Sequence, residues 1–278
     1  MNRQELYNQI QTKRSYLCVG LDPDLTQVPS FYSKDAEGLL EFNREIIEAT
    51  KAHCIAYKLN LAFYECLGVK GWELFEKTLS LIPSEHFVIA DAKRGDIGNT
   101  SFKYAKAFFD SSLPYRIDAL TVNPYMGRDS VLPFLSYSGK WVILLALTSN
   151  DGANDFQKQR LQNGNALFEE IIGQAKDWGS PEQVMFVTGA TQASMLKEIR
   201  KILPDNFLLV PGIGAQGGSL ENVSRFGMNE SCGLLVNVGR SILYASKEED
   251  FAERAAIEAQ LLQQQMAGLL KELLPSSI

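Results

Sequence analysis

"HFVIADAKRGDIGNT", residues 86–100, decides how this chain is read. His86 to Ala90 form an apolar run of strand length, yet the run ends in Asp91, Lys93, Arg94 and Asp96 instead of an ordinary turn. Side chains two apart on a strand share a face, so Asp91 and Lys93 are expected to point the same way, with Ala92 opposite. Charge gathered at the carboxyl end of a buried strand calls for an architecture that uses its strand ends.

Working outward, similar apolar runs recur along the whole chain: "YLCVGLD", "CIAYKLN", "ALTVNPY", "WVILLALT", "VMFVTGAT", "FLLVPGIGA" and "GLLVNVGRSI", which with the opening stretch make eight candidate strands. Between them lie "EGLLEFNREIIEATKAH", "GWELFEKTLSLI", "NALFEEIIGQAKDWG" and "QASMLKEIRKIL", with apolar residues three and four apart as in helices packed on a sheet. Strand alternating with helix implies a parallel sheet, and eight such units match a (β/α)8 TIM barrel better than a doubly wound sheet. No linker divides the chain, so a single α/β domain over residues 1–278 is expected. Leu6, Tyr7 and Ile10 mark an N-terminal helix, and residues 246–274 a long C-terminal one. Residues 148–165, "TSNDGANDFQKQRLQNGN", are polar and poor in apolar anchors, which predicts a mobile loop after strand five, either a plain surface insertion or a lid.

The 278 residues are 45% hydrophobic and 22% charged with a formal net charge of -6, which argues against a nucleic-acid partner. The four cysteines fall in no zinc-like spacing and read as thiols in a reducing compartment. His53 and His86, the only histidines, read as structural. The N-terminus lacks the apolar core of a secretory signal and "WVILLALT" is too short to span a bilayer, so a cytoplasmic protein is expected.

In such a barrel the active site lies at the carboxyl ends of the strands. Those ends are polar here: Asp22, Lys58 with Asn60, Asp91 with Lys93, Asn123, and Thr148 with Ser149. Asp91, Lys93 and Lys58 could form a structural ion network, but burial of such a network is a poor source of stability, and convergence in a cleft favours a functional role. "PGIGAQGGS" and "VNVGRSI" follow strands seven and eight, the usual phosphate site of this fold, with Gln216, Gly239 and Arg240 as candidate contacts. Gly212-x-Gly214-x-x-Gly217 also matches the dinucleotide fingerprint, but the next strand ends in glycine and arginine where that fold needs an acid.

"DAKRGDIGNT", with Asp91-x-Lys93-x-x-Asp96 and Thr100, resembles the signature of the orotidine 5'-phosphate decarboxylase family. "CVGLDPD", "AYKLN", "TVNPY", "LALTSN", "PGIGAQGG" and "VGRSI" match its longer bacterial-type branch in order, across essentially the whole barrel. The resemblance implies conversion of orotidine 5'-phosphate to UMP and CO2 in pyrimidine biosynthesis, without metal or organic cofactor. It makes Lys93 the proton donor to the pyrimidine C6 and puts Asp91 beside the departing carboxylate. Lys58 would orient Asp91 and contact ribose, and Asp22 would bind a ribose hydroxyl. Asp96, Ile97 and Thr100 would reach the site of a second subunit in a homodimer, with Asp96 in the catalytic set. Asn123 and Ser149 would face the substrate, Ser149 at the pyrimidine, and Gln216, Gly239 and Arg240 its phosphate. Asp151 stands where proline is common in the branch. Two rivals remain on the residues alone: a magnesium-dependent sugar-phosphate decarboxylase or aldolase sharing DxKxxD, and a non-catalytic phosphate-binding barrel.

Overall fold

A computed structural model describes residues 1–214 and 217–274. In it, eight parallel strands close a barrel in chain order: β1 (Leu17–Gly20), β2 (Ala56–Asn60), β3 (Phe87–Arg94), β4 (Ala119–Val122), β5 (Trp141–Leu147), β6 (Val184–Thr188), β7 (Leu208–Pro211) and β8 (Leu234–Val238). β8 pairs back onto β1, Leu17 lying against Val236, so no edge is left open. All eight expected strands therefore form, and the sheet is the parallel barrel that the strand–helix alternation predicts.

Helices wrap the outside. They are α1 (Arg3–Lys13), α2 (Ala36–Thr50), α3 (Ala62–Glu65), α4 (Val69–Leu81), α5 (Gly98–Phe109), α6 (Arg128–Leu135), α7 (Leu167–Ala175), α8 (Leu196–Ile202), α9 (Leu220–Gly227), α10 (Arg240–Leu243) and α11 (Phe251–Leu273). α2 shows the local logic: Asp35 caps it by accepting the N–H groups of Glu37 and Gly38, and Leu39, Phe42, Ile46 and Ile47 bury one face. α11 packs beside α2, where Phe251 stacks on Phe42 at 5.3 Å between ring centres. α1 buries Leu6 and Ile10. No helix among the described residues is long and apolar enough to cross a membrane.

Two expectations change in detail. The helix expected over 192–203 starts as a 3-10 turn, Ala190–Met195, before α8. Residues 148–165, expected as a polar loop poor in apolar anchors, hold a 3-10 turn at Asp151–Asn154 with Ala153 buried, and Arg160 bridges to Ala166. Their polar side chains do the anchoring, since the Gln157 amide oxygen accepts the Thr148 N–H at 2.8 Å.

The irregularity that matters most lies between β3 and β4. Ala90 pairs with Leu120 and Arg94 with Val122, so β3 advances four residues while β4 advances two. Asp91, Ala92 and Lys93 thus stand against Thr121 alone, a bulge that bends the strand at its carboxyl end. Lys93 sits in the left-handed region, with φ 48, which a side chain other than glycine adopts only when its surroundings enforce it.

Candidate active site

Four of the strand-end residues form one connected chain of contacts. Lys58 Nζ, on β2 and only 4% exposed, lies 3.1 Å from Asp91 Oδ2 and 3.6 Å from Asp22 Oδ2. Lys93 Nζ donates to Asp91 Oδ1 at 2.7 Å, with its side chain about half exposed. Asp22 is held from behind, because its Oδ1 accepts the Asn60 N–H at 3.0 Å. Asp91 therefore offers one carboxylate oxygen to each of two ammonium groups, one sealed in the barrel and one reaching toward solvent. The shared face of Asp91 and Lys93 appears as expected, although the backbone reaches it through the bulge and not through a regular strand.

The electrostatics follow from this packing. Burial opposes ionisation of Asp91, yet Lys58 and then Lys93 outweigh it and pull the carboxyl down to about 2. Burial likewise opposes charge on Lys58, and Asp22 and Asp91 overcome it, so this ammonium is held above the ordinary lysine value. At neutral pH Asp91 is therefore a carboxylate and Lys58 an ammonium. Among the described residues no group of three His, Cys, Asp or Glu is placed to hold a metal ion.

A second cluster adjoins the first. Asp22, Gly239 and Arg240 line a cavity of about 90 Å³ together with Gly212, Asn237 and Ser241. Gly212 follows β7 directly, and Gly212, Gly214 and Gly217 all take positive φ. Gln216 lies outside the described residues. A larger cleft of about 460 Å³ opens nearby between Pro23, Leu25, Leu39, Phe63 and Leu67, but its walls are mostly apolar and none of the four charged residues lines it.

The remaining candidates lie apart from the charged chain. The Asp96 carboxylate accepts the N–H of its own neighbour Ile97 at 2.7 Å, and Ile97 and Thr100 are exposed at the start of α5. Asn123 is exposed and spends its side-chain oxygen on the Tyr125 N–H. Ser149 is half-buried where β5 ends, its backbone so close to Gly189 that a Cβ there would come within 2.7 Å. Arg94, adjacent to Lys93, turns away to pair with Glu65 and lies over the rings of Tyr104 and Phe108.

Two residues that sequence reasoning passed over shape the site. The buried Thr121 hydroxyl sits between Asp91 and the backbone of Lys93; its signal was present, since Thr121 and Asn123 share a face of "ALTVNPY". Tyr244 accepts the Asp24 N–H at 2.9 Å and donates to the Asp22 carbonyl at 3.1 Å, fixing the β1 loop from the far side of β8. No sequence pattern announces that contact.

Comparison with known proteins bears on the chain as a whole. The model of the family described as orotidine 5'-phosphate decarboxylase / HUMPS matches residues 15–255. The chain is 56% identical over 273 residues to an orotidine 5'-phosphate decarboxylase from Phocaeicola vulgatus, covering 97% of this chain and 99% of that one. Among solved structures, OMP decarboxylase from Leishmania donovani is 34% identical with a TM-score of 0.80, covering 95% of this chain and 99% of that one. UMP synthase from the same organism is 37% identical with a TM-score of 0.80, covering 93% of this chain, which spans 56% of that longer protein.

Proposed function

The chain belongs to the orotidine 5'-phosphate decarboxylase family, and from that premise we propose how its residues carry out decarboxylation of orotidine 5'-phosphate to UMP and CO2 in pyrimidine biosynthesis. One observation carries the proposal: a single buried carboxylate, Asp91, braced between the sealed ammonium of Lys58 and the accessible ammonium of Lys93.

When the bond between C6 and the carboxylate breaks, its electron pair stays on C6 and CO2 departs. Lys93 supplies positive charge where that pair develops, then transfers a proton to C6 and is reprotonated from solvent. Asp91 aims the ammonium and lies beside the leaving carboxylate. Lys58 orients Asp91 and contacts ribose, Asp22 takes a ribose hydroxyl, Ser149 faces the base, and Asn123 belongs to the substrate-binding set. Arg240, Gly239 and Gln216 take the phosphate, an assignment supported by the cavity that Asp22 shares with Arg240. Binding energy from that remote dianion is available for closing residues 148–165 as a lid and for removing water from around Lys93.

No organic cofactor or metal enters this scheme. Both oxygens of Asp91 are already engaged by ammonium groups, which weighs against the magnesium-dependent alternative. The enzyme works as a homodimer in which Asp96, Ile97 and Thr100 serve the neighbour's site. The reading is supported by the exposed apolar side chains around them, Ile97, Phe102, Tyr125, Met126 and Leu132, which offer a face to a second copy. A nucleotide-processing step fits the cytoplasm, to be checked by cell fractionation.

The direct test is loss of orotidine 5'-phosphate absorbance with enzyme kept in excess EDTA; turnover should persist, and its disappearance with recovery on adding magnesium would overturn the scheme. The shared site is tested by mixing Lys93→Ala and Asp96→Ala protein under subunit exchange. One site of each heterodimer then has both residues intact, so activity should reappear. No recovery with heterodimers verified by mass spectrometry would mean that Asp96 serves its own chain.

A further inference from the structure

We propose that Thr121 is a positioning residue of the decarboxylase site, its one hydroxyl locking both the strained backbone of Lys93 and the carboxylate that aims the Lys93 ammonium. The proposal rests on the reading of Lys93 and Asp91 as the reacting pair.

Thr121 Oγ1 lies 2.9 Å from the Lys93 backbone nitrogen and 2.9 Å from Asp91 Oδ1. The roles are fixed by elimination. A backbone N–H can only donate and an ionised carboxylate can only accept, so the hydroxyl accepts from Lys93 and gives its proton to Asp91. Asp91 Oδ1 is the same atom that receives the Lys93 ammonium at 2.7 Å. A closed ring results: Lys93 backbone to Thr121, Thr121 to Asp91, Asp91 to the tip of Lys93.

The bulge explains why a side chain is needed there. Three residues of β3 face one of β4, so the regular ladder cannot supply an acceptor for every N–H, and the Thr121 oxygen takes the place of the missing carbonyl for Lys93. Thr121 is 1% exposed, which leaves water no route to substitute. Without the hydroxyl the left-handed turn at Lys93 loses its tie and Asp91 loses one of the donors that fix its rotamer. The side-chain hydrogen bonds of Thr121 run to Lys93 and Asp91 and not to Asp22 or Arg240, and Lys58, also proposed to contact ribose, meets it only through the far oxygen of Asp91. Loss of the hydroxyl should therefore spoil aim and spare binding.

Thr121→Val keeps shape and removes the hydroxyl; Thr121→Ser keeps the hydroxyl and removes a methyl. We expect Thr121→Val to lower kcat by roughly 10- to 100-fold, the scale on which small misplacements of reacting groups act, with KM for orotidine 5'-phosphate within about threefold. Thr121→Ser should restore most of kcat. Wild-type kcat in folded Thr121→Val, an equal defect in Thr121→Ser, or a defect residing in KM alone overturns the proposal. If Thr121→Val does not fold, exchange of the Lys93 amide in wild-type protein labelled with 15N-lysine decides. Protection like that of β3 interior amides supports the lock, and loop-like exchange overturns it. Lys93→Ala run alongside separates the two layers: an active Lys93→Ala removes the underlying reading, whereas an inactive one beside an unimpaired Thr121→Val removes only the role of Thr121.

Discussion

The two ends of the barrel both bury charge, and they use it differently. At the amino ends of the strands the charges are tied to backbone. Arg200 donates to the carbonyls of Gly227, Leu203, Asn206 and Gly233; Asp118 accepts the Val88 N–H and pairs with Arg116; Lys13 donates to the carbonyls of Lys51 and Cys54. At the carboxyl ends, Asp22, Lys58, Asp91 and Lys93 hold mainly one another, and Lys93 remains half open to solvent. A charge spent on fixed carbonyls has no capacity left for a ligand. A charge held by a neighbouring side chain can exchange partners when a substrate arrives, so the carboxyl end is where chemistry is to be sought.

The sharpest way to break this contrast is to cut one charge at each end. Lys93→Ala should lower kcat on the order of 10⁴-fold or more, since in the proposed scheme it removes both the stabilising charge and the proton donor, while the melting temperature stays within a few degrees of wild type. A near-normal rate would put the chemistry elsewhere. Arg240→Ala, at the same end but in the proposed phosphate site, should lower kcat/KM by roughly 100-fold or more. The same substitution should leave turnover of orotidine lacking phosphate unchanged; an equal loss on both substrates would show that Arg240 is not a phosphate ligand.

At the opposite end the signature should invert. Arg200→Ala removes the guanidinium donor from four carbonyls, of which Gly233 keeps the Leu208 N–H, and opens a space between the starts of β7 and β8, which should cost about 2–4 kcal/mol and lower the melting temperature by roughly 5–15 °C. kcat of the folded fraction should be unchanged within about twofold, as follows for a group that acts on stability alone. A large fall in kcat at constant melting temperature would erase the distinction between the ends.

The sequence exposes the barrel because burial on both faces leaves strands as uninterrupted apolar runs, and because each helix advertises one apolar stripe. Asp91 and Lys93 are legible as a pair for a reason only half right: the two-residue alternation holds for their side chains, but the backbone between them is bulged and left-handed. A bulge depends on how the neighbouring strand is registered, and no local pattern in β3 records that, so alternation can put Thr121 on the strand-end face while its tie to the Lys93 backbone stays hidden. Arg94 shows the converse, a charge in the same run that reads no differently from Lys93 yet turns outward to Glu65 and two aromatic rings. In residues 148–165 polar composition suggested absence of anchoring, where the amides themselves supply it. Gln216, outside the described residues, is a candidate by motif alone.

The smallest expected effect concerns pH and again separates the ends. His86, fully buried at the start of β3, has Nε2 at 2.8 Å from Lys13 Nζ and 2.9 Å from the Lys51 carbonyl, Glu85 at 3.7 Å from Nδ1, and the Tyr57 ring beside it. Arg116 also donates to its backbone carbonyl. Burial first, and then the Lys13 charge, lower the His86 pKa below its ordinary 6.5. Protons therefore bind the unfolded chain more readily, so this contribution to stability is present above about pH 6.5 and is lost as pH falls. Asp91, at about 2, keeps its contribution until pH drops below the ordinary carboxylate range near 3.8, and Lys58, shifted upward from 10.5, loses its contribution only in strong alkali. Between pH 7 and 5 the amino end of the barrel should weaken while the carboxyl end does not. The melting temperature should fall modestly over that interval, and His86→Gln, neutral throughout, should flatten most of the slope. His53, partly exposed and shifted the same way by burial and Lys13, is the competing source. If His53→Gln flattens the slope and His86→Gln does not, the acid-sensitive point lies after α2 and not beneath β3.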